Sequence, residues 1–408
     1  MAKAKTEREM SVESVVFPTG SDLLDLVVGG GTLGGYPGGK IINIVGDKST
    51  GKTFLACEIV AAAFHKARRD KIPMSWVYDD CESGFTFDTK AMYGFEIMPE
   101  KIEDRRRSRT VEDLYNNVRD YIEGLKAGER GVYIVDSLDG LTSEEGEKRV
   151  DSRFSAYQRG KEFKEGSYLM AKQKFLSSEF FPSIAELVDG SDILLVFISQ
   201  VRSKLDPMSY EKDTRSGGRA MDFYCHTVLW LSQRSKITRK ERAVGVVIHG
   251  QAKKSKTPRP YRAAIVSLLF DYGLDNTGSN IDFLFDLRTP KTAFLSADAA
   301  NALVWDPGED KTLPNLKKFL ADQGKLEDCA RAVLSDLKRG TVLEWISEQP
   351  ELAVPFQECF GTIMTRDELI EFIEFKGLQA ELKKRTVAKW ESIEQSIKTA
   401  RVPKYADA

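Results

Sequence analysis

The sequence predicts an α/β fold, a mostly parallel central sheet flanked by helices, followed by a small α-helical C-terminal domain. Three observations predict it. Short apolar runs long enough for buried strands recur at 41–45, 74–79, 132–136 and 193–199. Between them lie stretches with helical spacing, as crossovers between parallel strands require. The first run leads directly into Gly46-Asp47-Lys48-Ser49-Thr50-Gly51-Lys52-Thr53, which fits G-x-x-x-x-G-K-[ST] at every fixed position and opens an apolar helix over 54–64.

The elements follow in order. Residues 1–16 are polar and read as a flexible N-terminal segment. Thr19 to Leu26 reads as a short capped helix, and Gly29 to Gly39 as a glycine-rich approach to the first strand. Gly29-Gly30-Gly31-Thr32-Leu33-Gly34 spells G-x-G-x-x-G, but it precedes a strand instead of following one, so it is no dinucleotide fingerprint. In the Gly46–Thr53 loop, glycines let the backbone wrap around anionic oxygens, and the helix behind adds the positive end of its dipole. Lys52 is expected to reach the β- and γ-phosphates and the Thr53 hydroxyl to ligate Mg²⁺, so ATP with Mg²⁺ is the expected ligand. The second strand ends in Asp79-Asp80-Cys81-Glu82, at the strand end where open α/β sheets bind ligands. Arg105-Arg106-Arg107-Ser108-Arg109 reads as a solvated charge run. Thr110-Val111-Glu112-Asp113 resembles a capping box opening a helix through Leu125. The third strand ends in Asp136, placed to hold the Mg²⁺ shell. Residues 144–174 are highly charged, with helical spacing resuming near Tyr168. The fourth strand ends at Gln200, whose amide could sense the γ-phosphate. Residues 201–222 read as a mobile loop. Strands follow at about 226–231, 244–250 and 263–270, and the connection between the last two carries Lys253, Lys254, Lys256, Arg259 and Arg262 with no acid. From about 290 the spacing turns helical: Leu326 to Leu337 makes one stripe, Thr341-Val342-Leu343-Glu344 and Thr365-Arg366-Asp367-Glu368 are capping boxes, and Leu382, Trp390, Ile393 and Ile397 line a last helix. The expected division is 1–16, a core over 17–288, and a helical domain over 289–408.

The bulk numbers exclude several classes. A formal net charge of −2 gives no global field for nucleic acid, so any such binding rests on local patches. Five cysteines without framework spacing suggest reduced thiols and a cytoplasmic setting, and three scattered histidines form no metal pair. No stretch approaches the ~18 apolar residues of a membrane span, so no membrane partner is expected.

The order strand–glycine loop–helix, strand–acid, strand–Asp, strand–Gln, mobile loop, basic hairpin resembles the RecA-type recombinases, the phage UvsX branch most closely, over roughly residues 17–285. The resemblance implies a RecA-like P-loop ATPase core. Asp80-Cys81-Glu82 is similar to the family's D-x-E, which makes Glu82 the candidate base for the attacking water. Val135-Asp136-Ser137-Leu138 is similar to its Walker B segment, and Phe197-Ile198-Ser199-Gln200-Val201-Arg202 to the strand whose Gln couples ATP state to a DNA loop. Gly217-Gly218-Arg219-Ala220-Met221-Asp222-Phe223-Tyr224 resembles the end of the second DNA-binding loop, with Phe223 at a subunit interface. Lys254 to Tyr261 looks like the K-x-K segment that reaches a neighbour's ATP, giving Lys254 and Lys256 roles in trans.

By position, a first DNA loop would lie in 144–174, with Lys174 as a basic contact, and the second loop offers Arg202, Lys204, Arg215 and Arg219 for phosphates, around Gly217 and Gly218. Neither loop shows a run of aromatics, so backbone contact is expected over base reading. The sequence also departs from the family. Only about sixteen polar residues precede the core, where the family has a docking helix and strand, and Thr89 stands where a Tyr stacks on adenine, with Phe85 or Phe87 as substitutes. The implied function is an ATP-dependent recombinase that binds single-stranded and duplex DNA and assembles as a filament or ring. It would be cytoplasmic in a bacterial host, of cellular or phage origin, with a mediator or single-strand-binding protein as partner. Two alternatives stay open: an accessory loader ATPase and an ATP-switched protein-interaction module.

Overall fold

The computed structural model describes residues 15–29, 34–159, 171–203, 213–215, 218–257, 260–284, 332–334, 341–343, 370–371, 373–375, 377–398 and 401. Two compact units divide the chain, Met1–Leu274 and Asp275–Ala408.

The first unit is built on a central sheet. Its path runs β10 (Ala263–Leu269), β9 (Arg242–Ser255), β8 (Thr227–Arg239), β3 (Lys40–Gly46), β6 (Ile193–Ser203), β5 (Arg130–Asp136) and β4 (Met74–Asp80). The strands β4, β5, β6, β3 and β8 pair in parallel, while β8–β9 and β9–β10 are antiparallel. A short pair, β1 (Val16–Phe17) with β2 (Tyr36–Pro37), precedes the sheet, and β7 (Asp213–Arg215) pairs with the end of β6. The central parallel strands β3, β5 and Ile193–Ser199 of β6 are buried almost throughout, as their unbroken apolar runs demand, whereas β4 is half-buried over Met74–Val77 and β8 becomes exposed past Leu231.

The helices of this unit are α1 (Asp22–Val28), α2 (Lys52–Asp70), α3 (Thr89–Tyr93), α4 (Val111–Gly124), α5 (Glu144–Gln158), α6 (Ala171–Phe175), α7 (Phe181–Asp189) and α8 (Gly218–Tyr224). One face of the sheet packs Val111, Leu114 and Val118 of α4 and Phe181, Ile184 and Val188 of α7 against Tyr133, Leu195 and Phe197. Ile42 and Ile44 of β3 alternate to the other face, which α2 covers with Leu55, Ile59 and Val60. Helix α1 is capped as expected but starts later than Thr19, with Ser21 Oγ accepting from Leu24 N, and the expected capping box opens α4, where Thr110 and Asp113 exchange side-chain and backbone bonds.

Asp79 on β4 is fully buried and accepts from Ser108 N (2.7 Å), Ser108 Oγ (2.6 Å) and Tyr133 OH (2.7 Å). These bonds pin the middle of the arginine run to the sheet. Arg105 donates to the carbonyls of Pro99 and Glu100, and Arg106 to Asn117.

Several elements differ from the sequence reading. Helix α5 begins at Glu144, well before Tyr168, because Ser143 caps it by accepting from Gly146 N. Lys253 and Lys254 lie inside β9 instead of in a connection. In the second unit, Ala332–Leu334 (β11) and Thr341–Leu343 (β12) form an antiparallel pair where helices were expected. Both runs carry β-branched residues, which suit a strand as well as a helix face. The units divide at 274/275, ahead of the expected 288/289. Helix α9 (Asn276–Leu284) packs on α10 (Gln379–Ser396), with Phe283 5.9 Å from Trp390 and Lys389 Nζ donating to the Phe283 and Leu284 carbonyls. Leu382 and Trp390 are buried on α10, but Ile397 lies past its end and is exposed. The capping box at 365–368 lies outside the described residues. Among the described residues, no helix is long and apolar enough to cross a membrane, and Cys57, Cys81 and Cys225 are free thiols.

Candidate active site

The glycine loop sits where β3 ends and α2 begins, at the carboxyl edge of the parallel strands. Gly51 has φ +81°, and a Cβ there would lie 2.9 Å from Ile248 Cδ1 and 3.0 Å from Leu268 Cδ1, so glycine is required on two counts. A Cβ at Gly46 would meet Thr50 Oγ1 at 2.4 Å. The Asp47 carbonyl accepts from Thr50 Oγ1 (2.8 Å) and from Lys52 Nζ (2.7 Å), while Asp47, Lys48 and Ser49 are exposed at the rim. Burial pushes the Lys52 ammonium down from its ordinary pKa, against the pull of Asp136, Asp47, Glu82 and Asp139.

The neighbouring strand ends bring in the carboxylates. Asp80 and Asp136 are register partners on β4 and β5, and Cys81 N donates to the Asp136 carbonyl at 2.7 Å. Asp136 Oδ2 accepts from Thr53 Oγ1 (2.8 Å) and Tyr78 OH (2.5 Å). Burial raises the Asp136 carboxyl above its usual range, outweighing those two bonds. Glu82 Oε1 accepts from Ser137 Oγ and from Gln200 Nε2 (3.1 Å), and Gln200 N donates to Asp139 Oδ2 (2.9 Å). Lys52, Thr53, Glu82, Asp136 and Gln200, drawn from four separate stretches of sequence, thus meet at one edge of the sheet.

The residues present fit a Mg²⁺-bound nucleotide. A carboxylate whose charge is costly in its surroundings is one that a divalent cation would stabilise. Thr53 and Asp136 bring one hydroxyl and one carboxylate together, 2.8 Å apart. That suits Mg²⁺, which usually takes one or two carboxylates plus phosphates and water.

The basic residues lie elsewhere. Lys256 lines a cavity of about 320 Å³ with Lys40, Ile41, Asp189, Tyr224 and His226, where β3 begins. Ile41 and Gly46 are five residues of strand apart, roughly 17 Å at ~3.3 Å per residue. Lys254 Nζ donates to the Asp222, Phe223 (3.2 Å) and Cys225 (2.7 Å) carbonyls at the C-terminal end of α8. Neither lysine is positioned to close the glycine loop of its own chain.

The expected DNA contacts are placed unevenly. Arg215 is turned inward: its side chain is 6% exposed and its guanidinium donates to Asp222 Oδ1 at 2.5 Å. Lys174 is exposed on α6. Gly218 opens α8 and Arg219 follows on it; Arg202 lies on β6, paired with Thr214. Lys204 and Gly217 lie outside the described residues, as does 160–170 of the expected first loop. Phe223 is 71% exposed and meets Tyr224 edge-on, while Tyr224 stacks on Phe181 at 5.6 Å. Thr89 is buried and accepts from Ile97 N, whereas Phe85 and Phe87 form a half-buried aromatic cluster with Tyr78 and Phe54 beside the site.

Two features escaped the sequence reading. Ser137 joins Glu82 and Gln200, and only its place directly after Asp136 hints at this. Glu58, on the outward run of α2, is 9% exposed and accepts from Leu274 N (2.8 Å) and Tyr93 OH (3.3 Å).

A family model of the RecA N-terminal domain matches residues 1–72 and 157–275, segments that hold the glycine loop, Gln200, Lys254 and Lys256. Glu82 and Asp136 fall between them. Protein RecA of Acholeplasma laidlawii is 24% identical over 320 residues, covering 78% of this chain and 85% of the relative. Protein RecA of Nitratiruptor sp. is 26% identical over 280 residues, 67% of this chain and 70% of the relative. Protein RecA of Methylococcus capsulatus is 26% identical over 278 residues, 65% and 69% of the two chains. Together with the α/β core, these matches place the chain in the RecA-type recombinase family.

Proposed function

We propose that the chain is an ATP-dependent, single-stranded-DNA-binding recombinase that hydrolyses ATP between two protomers and promotes homologous pairing and strand exchange. The observation that carries this reading is the hydrogen bond from Gln200 to Glu82, which ties the candidate base to the strand that leads toward the second loop. Residues Gly46–Thr53 cradle the phosphates, and Lys52 neutralises their charge. Thr53 and Asp136 hold Mg²⁺, which supplies positive charge to the phosphoryl oxygens. Glu82 orients the attacking water and takes its proton. Gln200 sits one residue before Val201–Ser203, which pair with β7. A shift of that pair when DNA binds would move the amide and so re-aim Glu82. Lys256, whose cavity lies about 17 Å along the sheet from its own glycine loop, and Lys254, whose ammonium is held by the carbonyls at the end of α8, are supplied to a neighbour's nucleotide, where added cations stabilise the charge that builds on the transferred group.

The test is ATP turnover with and without single-stranded DNA, for the natural chain and for Gln200→Ala. DNA should stimulate the natural chain and the stimulation should fall sharply in the variant. Absence of stimulation, together with no DNA binding at low salt, overturns the proposal. Imaging with DNA and a slowly hydrolysed ATP analogue reads filament against ring.

A further inference from the structure

The strand that carries Gln200 outruns its neighbours. Pairing of β6 with β5 ends at Phe197, opposite Val135, and pairing with β3 ends at Gln200 itself, opposite Gly46. Past Phe197 a backbone N–H on the β5 side has no β5 partner left, and a half-buried donor without an acceptor is costly. At Gln200 a side chain fills the gap: Gln200 N donates to Asp139 Oδ2 at 2.9 Å. The amide of the same residue donates to Glu82 Oε1 at 3.1 Å. Gln200 is thus held twice, by its backbone and by its side chain, on two different carboxylates.

Asp139 can anchor because the turn beneath it is tied on several sides. It lies in Leu138–Gly140, three residues past Asp136. Leu138 is fully buried in the core, and Gly140 N donates to the Ser137 carbonyl at 3.0 Å. Gly140 lets the turn press against the segment that carries Glu82: a Cβ there would meet Cys81 O at 2.9 Å and Glu82 Cγ at 3.1 Å. From α6, Lys172 Nζ donates to the carbonyls of Leu138 (2.6 Å) and Leu141 (2.7 Å), one on each side of Asp139.

We propose that Asp139 is a positioning residue for ATP hydrolysis: it fixes the Gln200 backbone where both ladders run out, and so sets the Gln200 amide against Glu82. Lys172 acts through it by holding the turn. The assignment rests on the hydrolysis reading above and adds to it two residues that need not touch the nucleotide. The rival role for Asp139 is electrostatic. Its charge bears on Lys52, but less than the charges of Asp136, Asp47 and Glu82 do. Its bond to Gln200 N is direct, so the geometric role is the stronger one.

The experiment is a double-mutant cycle on ATP turnover by the full chain, at saturating Mg²⁺ and ATP, with and without single-stranded DNA. Asp139→Ala should lower kcat by about ten-fold, the worth of one charge-assisted hydrogen bond, while KM for ATP hardly moves. Asp139→Asn keeps an acceptor oxygen without the charge and should stay within about three-fold of the natural chain. In a Gln200→Ala background, Asp139→Ala should cost less than about two-fold more, because no amide is left to position. Lys172→Met should give a smaller loss with the same dependence on Gln200, and it takes the place of Asp139→Ala in the cycle if that variant does not fold. An undiminished further loss in the Gln200→Ala background overturns the proposal, since Asp139 would then act on the fold or on Lys52. So does an Asp139→Asn rate as low as that of Asp139→Ala, which would make the charge the requirement. A natural chain that hydrolyses ATP without responding to DNA overturns the DNA-binding reading above, and the cycle run without DNA then supports or overturns this assignment by the same criteria. A natural chain with no turnover overturns both.

Discussion

Replacing Glu58 by Gln should stabilise the chain at pH ~8 relative to its effect at pH ~5.5, by about 2 kcal/mol. Glu58 lies on α2, seven residues past Gly51, and burial lifts its carboxyl from 4.5 to about 7, against the bonds from Leu274 N and Tyr93 OH. Gly273, at φ +99°, makes room for it: a Cβ there would sit 2.0 Å from Glu58 Oε1. Because the folded pKa is raised, the folded chain holds the proton more tightly than the unfolded one. The stability from this group is fully present below about pH 4.5 and is lost as pH rises through about 7. The whole effect is about 3 kcal/mol, since one pKa unit corresponds to ~1.4 kcal/mol. Roughly two thirds of it falls between pH ~5.5 and ~8. Gln cannot ionise, and its carbonyl can accept the same two bonds. Urea unfolding followed by tryptophan fluorescence, run on both chains at both pH values, isolates Glu58 because every other group is shared. A Gln-minus-Glu difference that is the same at both pH values within about 0.5 kcal/mol, or that favours Glu at the higher pH, would refute the reasoning.

Other outcomes follow from the site. Lys52→Ala should cut turnover by about 100-fold or more, as loss of a group stabilising transferred charge does, and calorimetry should show weakened nucleotide binding. Lys254→Ala with Lys256→Ala should lower kcat while nucleotide affinity stays nearly unchanged. Mixing that variant with Lys52→Ala should restore part of the turnover that neither has, because one supplies glycine loops and the other lysines; a mixture as inactive as its components would argue against a shared site. Gly51→Ala should destabilise the chain by about 1–2 kcal/mol from its left-handed φ, with a further loss from the contacts with Ile248 and Leu268, read by denaturant midpoint.

The glycine loop was legible because its chemistry is local: eight consecutive residues fix strand end, turn and helix start. Glu82, Asp136 and Gln200 were read as polar residues at the ends of apolar runs; in the structure Asp136 ends β5, Glu82 lies two residues past β4 and Gln200 three residues short of the end of β6. What the sequence hid depends on partners far along the chain. Lys254 reads as a free cation until the carbonyls of 222, 223 and 225 are set beside it. Arg215 reads as a loop cation until Asp222 is brought round to meet it. Glu58 reads as the polar side of a helix, and only Leu274, 216 residues away, shows that it points inward. The charge of 144–158 masked a helix because capping by Ser143, not apolar spacing, starts it. The runs at 332–334 and 341–343 carry residues compatible with either period, so pattern could not decide between strand and helix.

The serine inside the arginine run has a practical bearing on any library built across 105–109. Position 108 answers to the interior, through the Asp79 carboxylate, whereas the letters on either side face outward. Selection for a folded product should therefore return serine at 108 again and again while its neighbours drift. A stretch that looks like exterior decoration would reveal, by that one invariant letter, where the outside of the molecule stops.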